Sequence, residues 1–158
     1  MGVRRANDHE QRAELWRLRH GTRERYVRRY PGKKIISVDV SVPISEFAAT
    51  VAHAEAAAAE KGFDLSMVGH AGDGNLHMAV IYDPDEPTAP ERAEELATEV
   101  VTRAMDVGGT STGEHGTGIG KRKYLVAEFG EDAVVAMRAI KQALDPHGIL
   151  NPGKVLPD

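Results

Sequence analysis

Two histidines, His70 and His77, bracket a glycine-rich reversal in the stretch Val68-Gly69-His70-Ala71-Gly72-Asp73-Gly74-Asn75-Leu76-His77-Met78. Apolar runs at Leu65–Val68 and Met78–Tyr82 flank Gly72-Asp73-Gly74-Asn75. Glycines and an Asp/Asn pair supply the positive-φ and side-chain-capped positions that a tight reversal needs, so the stretch reads as a β-hairpin. Histidines opposed across such a hairpin bring their Cβ atoms to about 4.5–5.5 Å, near enough for both imidazoles to reach one metal ion. The same pair can instead be satisfied by hydrogen bonds at a hairpin end. Asp73 and Asn75 read as turn formers. A third ligand would come from Glu114-His115, inside a second glycine-rich loop.

That second loop, Gly113-Glu114-His115-Gly116-Thr117-Gly118-Ile119-Gly120-Lys121, is not a phosphate loop. The first glycine of that motif would fall on His115, and Arg122 replaces its Ser/Thr. A helix rather than a strand precedes the loop, which excludes a dinucleotide-binding turn. The glycines therefore imply close backbone approach to some other group, or a tight turn. Glu114 and His115 are adjacent and are expected to diverge from an extended loop, one toward a metal and the other toward a substrate. Lys121-Arg122-Lys123 reads as the solvated start of a helix, or as a weak attractor of anions.

Elements must position these groups. Residues 1–32 form a basic, partly helical segment: residues 1–9 are expected to fray, and a helix with Leu15, Trp16 and Leu18 gives way to arginine-rich surface before Pro31-Gly32. Residues 33–158 form the main domain. Ile36-Ser37-Val38-Asp39-Val40-Ser41-Val42 alternates as a half-buried strand. Ser45 is expected to cap a helix with Phe47, Val51, Ala54 and Ala58 on its buried stripe, ended by Gly62. After the hairpin, Thr88 and Pro90 start a helix facing inward through Ala93, Leu96, Val100 and Ala104. Lys121–Phe129 is expected to be one short helix. Asp132 is expected to cap a last helix that buries Val134, Met137, Ile140 and Leu144. The order strand–helix–strand–strand–helix predicts an α+β fold: an antiparallel sheet with helices packed on one face, a ferredoxin-like sandwich.

Composition sets bounds. The 158 residues carry 20 Lys+Arg against 24 Asp+Glu, a net charge of −4, which argues against nucleic acid as a partner. With no cysteine, disulfides, thiolate-bound zinc and iron–sulfur clusters are excluded. No apolar run is long enough for a transmembrane segment and no signal-peptide core is present, so a cytoplasmic location is expected, with membrane contact only through an electron acceptor.

Three stretches, GHAGDGNLH, GTSTGEHGTGIGKRKYL and ALDPHGILNPGKVLP, with DVSVPISEF, closely resemble the C-terminal cap domain of FAD-linked oxidases of the vanillyl-alcohol-oxidase type. The D-lactate dehydrogenases that reduce cytochromes or quinones are the most similar group, with glycolate oxidase catalytic subunits and D-2-hydroxyglutarate dehydrogenases near them. The resemblance extends from Leu15-Trp16-Arg17-Leu18-Arg19 onward. It implies FAD, held mainly by a flavin-binding domain outside this chain and supplied in cis or in trans. The chain alone would then be colourless and inactive. It also implies a divalent metal (zinc, manganese or iron) on His70, His77 and Glu114, with His115 as catalytic base. Arg19 would bind the substrate carboxylate, Asn75 would lie beside it, and Asn151 would approach the flavin. Ala79 and Ser37 stand where the hydroxyglutarate enzymes carry asparagine and lysine, which weakens the expectation of a dicarboxylate substrate. The implied activity is oxidation of D-lactate or a similar D-2-hydroxy acid. Two other classes fit the residues alone: a metal-dependent hydrolase using the same ligands, and a non-catalytic ferredoxin-like binding module.

Overall fold

The structure, a computed structural model, describes residues 5–157. Two helices open it, α1 (His9–His20) and α2 (Thr22–Arg29). Then come β1 (Lys34–Ser41), α3 (Ile44–Lys61), the hairpin strands β2 (Asp64–His70) and β3 (Asn75–Tyr82), and α4 (Ala89–Asp106). The glycine-rich loop follows, leading into α5 (Gly118–Lys121), a 3-10 turn at Arg122–Tyr124, α6 (Leu125–Phe129) and α7 (Glu131–Leu144).

The sheet is antiparallel in the order β1-β3-β2. β3 pairs with β1 through Asp39↔His77 and Ser41↔Asn75, and with β2 through Val68↔His77 and His70↔Asn75. This is the expected α+β sandwich, with one difference. A ferredoxin-like sheet carries a fourth strand beyond β1, and here that place holds an isolated bridge, Ser41↔Thr110. A Cβ at Gly109 would lie 2.2 Å from the Ser41 carbonyl oxygen, so the chain touches β1 there and then turns into the glycine loop.

The two-residue period of the strands gives the sheet two unlike faces. Val38, Val40, Leu76, Met78 and Val80 point to one and form the core with α3 and α4. Those helices meet the sheet through small residues: Ala54, Ala57 and Ala58 from α3, and Ala93, Ala97 and Ala104 around Leu96 and Val100 from α4. Phe47 lies so close over Gly69 that a Cβ there would come within 2.9 Å of its ring. The other face carries Ser37, Asp39, Ser41, Asn75, His77 and His70, which follow from the same period and the observed register.

Several expectations at element ends are corrected. From His9 to Arg29 the chain is helical almost throughout, not one helix followed by bare surface. Residues 1–4 of the stretch expected to fray lie outside the described residues, as does Asp158. Asp8 is an ordered N-cap, its side chain accepting from Gln11 N. Pro43, not Ser45, caps α3: the Val42 N–H is fixed to the Gly74 carbonyl, and the helix begins as soon as Pro43 turns the chain. Gly130, not Asp132, caps α7, leaving Asp132 in the first turn where its charge suits the helix dipole. The single helix expected over Lys121–Phe129 is three short pieces, tightened at the 3-10 turn where the Tyr124 hydroxyl meets Thr98 Oγ1 at 3.1 Å and Lys123 pairs with Glu94 at 2.6 Å.

The largest correction concerns α7. Its expected buried stripe is mostly uncovered: Val134 is fully buried, but Ile140 and Leu144 are 62% and 75% exposed. The chain after Leu144 folds back along this helix, held by Lys141 Nζ to the Leu150 carbonyl and by Asp145, whose carboxylate accepts from Ile149 N and Leu150 N. Helical periodicity identifies an apolar face; it does not say what covers it. The difference is measurable. Leu96→Ala should cost about 2–5 kcal/mol in urea unfolding, whereas Leu144→Ala should change stability by no more than about 0.5 kcal/mol. An equal loss at both positions would mean that α7 packs as the periodicity suggests.

Candidate functional site

The polar sheet face gathers six of the expected site residues, His70, Asn75 and His77 from the strands, Glu114 and His115 from the loop and Arg19 from α1, and one that sequence reading left out. His77 sits on the central strand, directly across from Asp39 of β1. His70 is not opposite His77 as expected. It pairs with Asn75, which makes the two histidines diagonal neighbours. The rings still meet, edge to face with centroids 5.6 Å apart.

The glycine loop closes over this face because of Asp39. One carboxylate oxygen, Oδ2, accepts the backbone N–H groups of Gly113, Glu114 and His115, each at 2.9 Å. The other, Oδ1, accepts from Asn75 Nδ2 at 2.9 Å. Lys121 Nζ donates to the Asp39 main-chain carbonyl and lies 3.5 Å from Oδ2. Successive N–H groups curled around one oxygen form an anion-binding nest, the environment a buried carboxylate needs. Burial alone would push the Asp39 carboxyl up. The His115 N–H, the Asn75 amide, the Glu114 N–H and the Lys121 charge outweigh it and hold the group well below its ordinary range. Lys121 is pushed down by its burial and partly restored by Asp39. It is therefore a half-buried partner of Asp39, not the solvated start of a helix.

The curl also corrects the expectation that Glu114 and His115 diverge from an extended loop. Both end beside His77. Glu114 Oε1 is 3.1 Å from His77 Nε2 and 3.9 Å from His70 Nε2. The His115 ring stacks on His77 at 5.0 Å between centroids, with its Nε2 3.9 Å from Glu114 Oε1. Burial holds the His77 imidazole below its ordinary value, Asp39 and Glu114 draw it back up, and His115 and His70 push it down. Neither nitrogen of His77 has an aligned hydrogen-bond partner, although both are buried.

Among the described residues, two three-residue groups place potential ligand atoms within 4.8 Å of one another: His70, His77 and Glu114, and Asp39, His77 and His115. The donor chemistry separates them. Asp39 is almost wholly buried, and its Oδ2 already accepts from three backbone N–H groups while Oδ1 accepts the Asn75 amide, so it is engaged in bracing the loop. His70 and Glu114 are partly exposed, and the buried His77 Nε2 faces them without an aligned donor. This first group fits a divalent ion with two imidazoles and one carboxylate.

Arg19 of α1 reaches the same face. With Tyr26, Ile35, Ser37, Ser66, Val68, His77 and Ala79 it lines a cavity of about 230 Å³. Asn75 is buried and its amide donates to Asp39 and, at 3.4 Å, to Ser41 Oγ, so it braces the site and does not line the cavity. Asn151 lies elsewhere, in the chain that follows α7, in the left-handed region at φ 46°. It borders a groove of about 600 Å³ against Met137, Ile140 and Leu144 and shares no lining residue with the histidine cavity. Asp39 and Gly113 were not singled out from sequence, and Lys121 was read only as part of a solvated or weakly anion-attracting cluster. The available signal was the glycine-rich loop itself, which implied a close approach without naming the group approached.

A Cβ at Gly113 would lie 1.8 Å from Asn75 Nδ2 and 2.7 Å from Asp39 Oδ1. Gly113→Ala should therefore lift the loop and cost roughly 1–3 kcal/mol, while Gly120→Ala, with open space at its Cβ, should leave stability nearly unchanged. Urea unfolding of the two variants checks this, and equal behaviour would contradict the nest.

Comparison with known proteins places this geometry. The family described as FAD linked oxidases, C-terminal domain, matches residues 1–155. A mitochondrial D-lactate dehydrogenase [cytochrome] of Kluyveromyces lactis is 44% identical over 95% of this chain and 26% of its own length. Glycolate oxidase subunit GlcD of Bacillus subtilis is 42% identical over 74% of the chain and 25% of its own. A D-2-hydroxyglutarate dehydrogenase of Xanthomonas citri is 39% identical over 92% and 31%. This chain thus spans about a quarter to a third of the length of these relatives. Among solved structures, 4-ethylphenol oxidase from Gulosibacter chungangensis matches with a TM-score of 0.64 over 97% of this chain and 32% of that one, at 20% identity, a likeness of fold. The chain belongs to the family of FAD-linked oxidase C-terminal domains.

Proposed function

We propose that this chain is the substrate- and metal-binding part of an FAD-dependent dehydrogenase that oxidises D-lactate, or a similar small D-2-hydroxy acid, to the 2-oxo acid. The observation that carries the reading is the convergence of His70, His77 and Glu114, of which His77 also lines the cavity that Arg19 lines. A 2-hydroxy acid presents a carboxylate and an adjacent hydroxyl, and the cavity offers a guanidinium for the first and a ligand cluster for the second. FAD is held mainly by a flavin-binding domain outside residues 33–158, with Asn151 as this chain's contact toward it.

The chain's own residues then have separate tasks. Arg19 engages the substrate carboxylate, where a guanidinium can form two parallel hydrogen bonds and fix the Cα–H direction. His70, His77 and Glu114 hold a divalent ion. His115, exposed and stacked on the cavity-lining His77, accepts the hydroxyl proton, a task suited to an imidazole at neutral pH. The chemistry supplied from elsewhere is Lewis acidity at the ligand cluster and hydride acceptance by the flavin. Among the described lining residues other than His77, Arg19 is the one cation: Ile35, Val68 and Ala79 are apolar, and Tyr26, Ser37 and Ser66 are neutral. This favours a monocarboxylate with a small side chain over a dicarboxylate.

Isothermal titration with zinc and manganese tests the metal half. His70→Ala and Glu114→Gln should each weaken binding at least tenfold with circular dichroism unchanged, and affinities equal to wild type would remove the ligand assignment. In the enzyme assembled with its flavin-binding domain, His115→Asn should abolish D-lactate-dependent dye reduction while metal affinity stays within about threefold of wild type. If His115→Asn loses metal as severely as Glu114→Gln, the two roles have been exchanged.

A further inference from the structure

We infer that Asp39 is the positioning residue of this site: it holds the His77 proton on Nδ1, keeping the Nε2 lone pair directed at His70 and Glu114, while its second oxygen clamps the loop that carries Glu114 and His115. Neither the family match nor the sequence motifs single it out. The inference deepens the metal-binding reading above, but one of its two readouts does not depend on metal.

The geometry separates the two oxygens. Oδ2 is occupied by the three loop N–H groups, so it determines where Glu114 and His115 lie. Oδ1 is 3.4 Å from His77 Nδ1 and is the carboxylate oxygen nearest that nitrogen. On the far side of the ring, Nε2 is 3.1 Å from Glu114 Oε1. A neutral imidazole has one N–H and one lone pair, so one of these carboxylates must face the lone pair. Asp39 is 1% exposed and, held by the loop N–H groups, cannot turn away; the Glu114 side chain is 54% exposed and can swing into solvent. The lone pair is therefore tolerated on the Glu114 side and costly on the Asp39 side. A ligand imidazole whose other nitrogen is oriented by a carboxylate is the arrangement that fixes tautomer and ring direction in metal sites.

An isosteric change isolates the effect. In Asp39→Asn the amide oxygen must take the place of Oδ2, because three N–H groups point there. The amide NH2 then occupies the Oδ1 position, facing His77 Nδ1 and Asn75. Asn75 can adapt, because its own Oδ1 is buried without a partner and can accept from the new NH2. His77 Nδ1 must become the acceptor, so the proton moves to Nε2 and is donated to Glu114, which removes both groups from metal binding. The loop clamp survives this change, and the tautomer does not.

The test is two-bond 1H–15N correlation of the imidazoles in the 15N-labelled 158-residue chain at pH 8, with His77 assigned from the cross-peaks lost in His77→Gln. The expected result is a predominantly Nδ1–H tautomer in wild type and a predominantly Nε2–H tautomer in Asp39→Asn, with zinc or manganese affinity falling ten- to hundredfold in the variant. A structural role alone would lower the unfolding midpoint without moving the proton between nitrogens. A wild-type His77 found mainly as Nε2–H overturns the inference even if Asp39→Asn fails to fold. An unchanged tautomer in a folded variant also overturns it, as does unchanged metal affinity. A wild-type chain that binds neither ion counts against the metal reading, and the tautomer measurement still decides this one.

Discussion

The site depends on one buried charge and the backbone donors it gathers. Removing a carboxylate from water costs several kcal/mol after relaxation, and Asp39 is almost wholly covered. Three N–H groups on one oxygen, an amide on the other and an ammonium beside them offset that cost. The arrangement is demanding in both directions. Without Asp39 the loop donors would have no common acceptor. Without a glycine at 113 the loop could not come close enough to supply them. The long glycine loop is thus shaped around an anion, but the anion belongs to the protein's own strand.

Strand periodicity makes this local interaction into a site. Because successive residues alternate faces, the register that places Val38, Val40, Leu76, Met78 and Val80 on α3 and α4 also places Asp39, His77, Asn75 and His70 together on the other side. A one-residue slip would send the carboxylate into the apolar core and the valines toward the cavity. The hydrophobic core therefore sets the register of the chemistry, and the packing of α4 through Leu96 and Val100 is a condition of the histidine geometry.

These relations explain what could be read from sequence. The strands, the two long helices and the α+β architecture were legible because their periodicities and punctuating glycines and prolines act locally. That His70, His77 and the Glu114-His115 loop would meet was also legible, since turn chemistry and glycine density mark both loops; the choice of Glu114 over His115 came only from the family resemblance. Register was not: the expected direct opposition of the histidines became a diagonal, because Asn75 entered the strand and took the position across from His70. Asp39 was hidden by the alternation that revealed its strand, which assigns every second residue to solvent and cannot show that a loop some 75 residues later will cover one of them. The apolar stripe of α7 misled for the opposite reason. Its pattern is real, but the sandwich does not bury it.

The parts of the site are held with unequal firmness, and the difference matches their proposed work. His77 is anchored in the central strand, and the backbone at Glu114 and His115 is pinned to Asp39, so the proposed ligands and proton acceptor are tied to the sheet through main-chain contacts. Arg19 arrives from the other direction, on a helix none of whose residues is buried. A metal site needs ligands held to fractions of an ångström, and a proton acceptor needs a fixed distance to the hydroxyl. A guanidinium that recognises a carboxylate has a long side chain and a fork of donors, and it tolerates adjustment of the helix beneath it. The rigid sheet thus carries the groups whose geometry determines reactivity, while the lightly packed helix carries the group whose first task is capture.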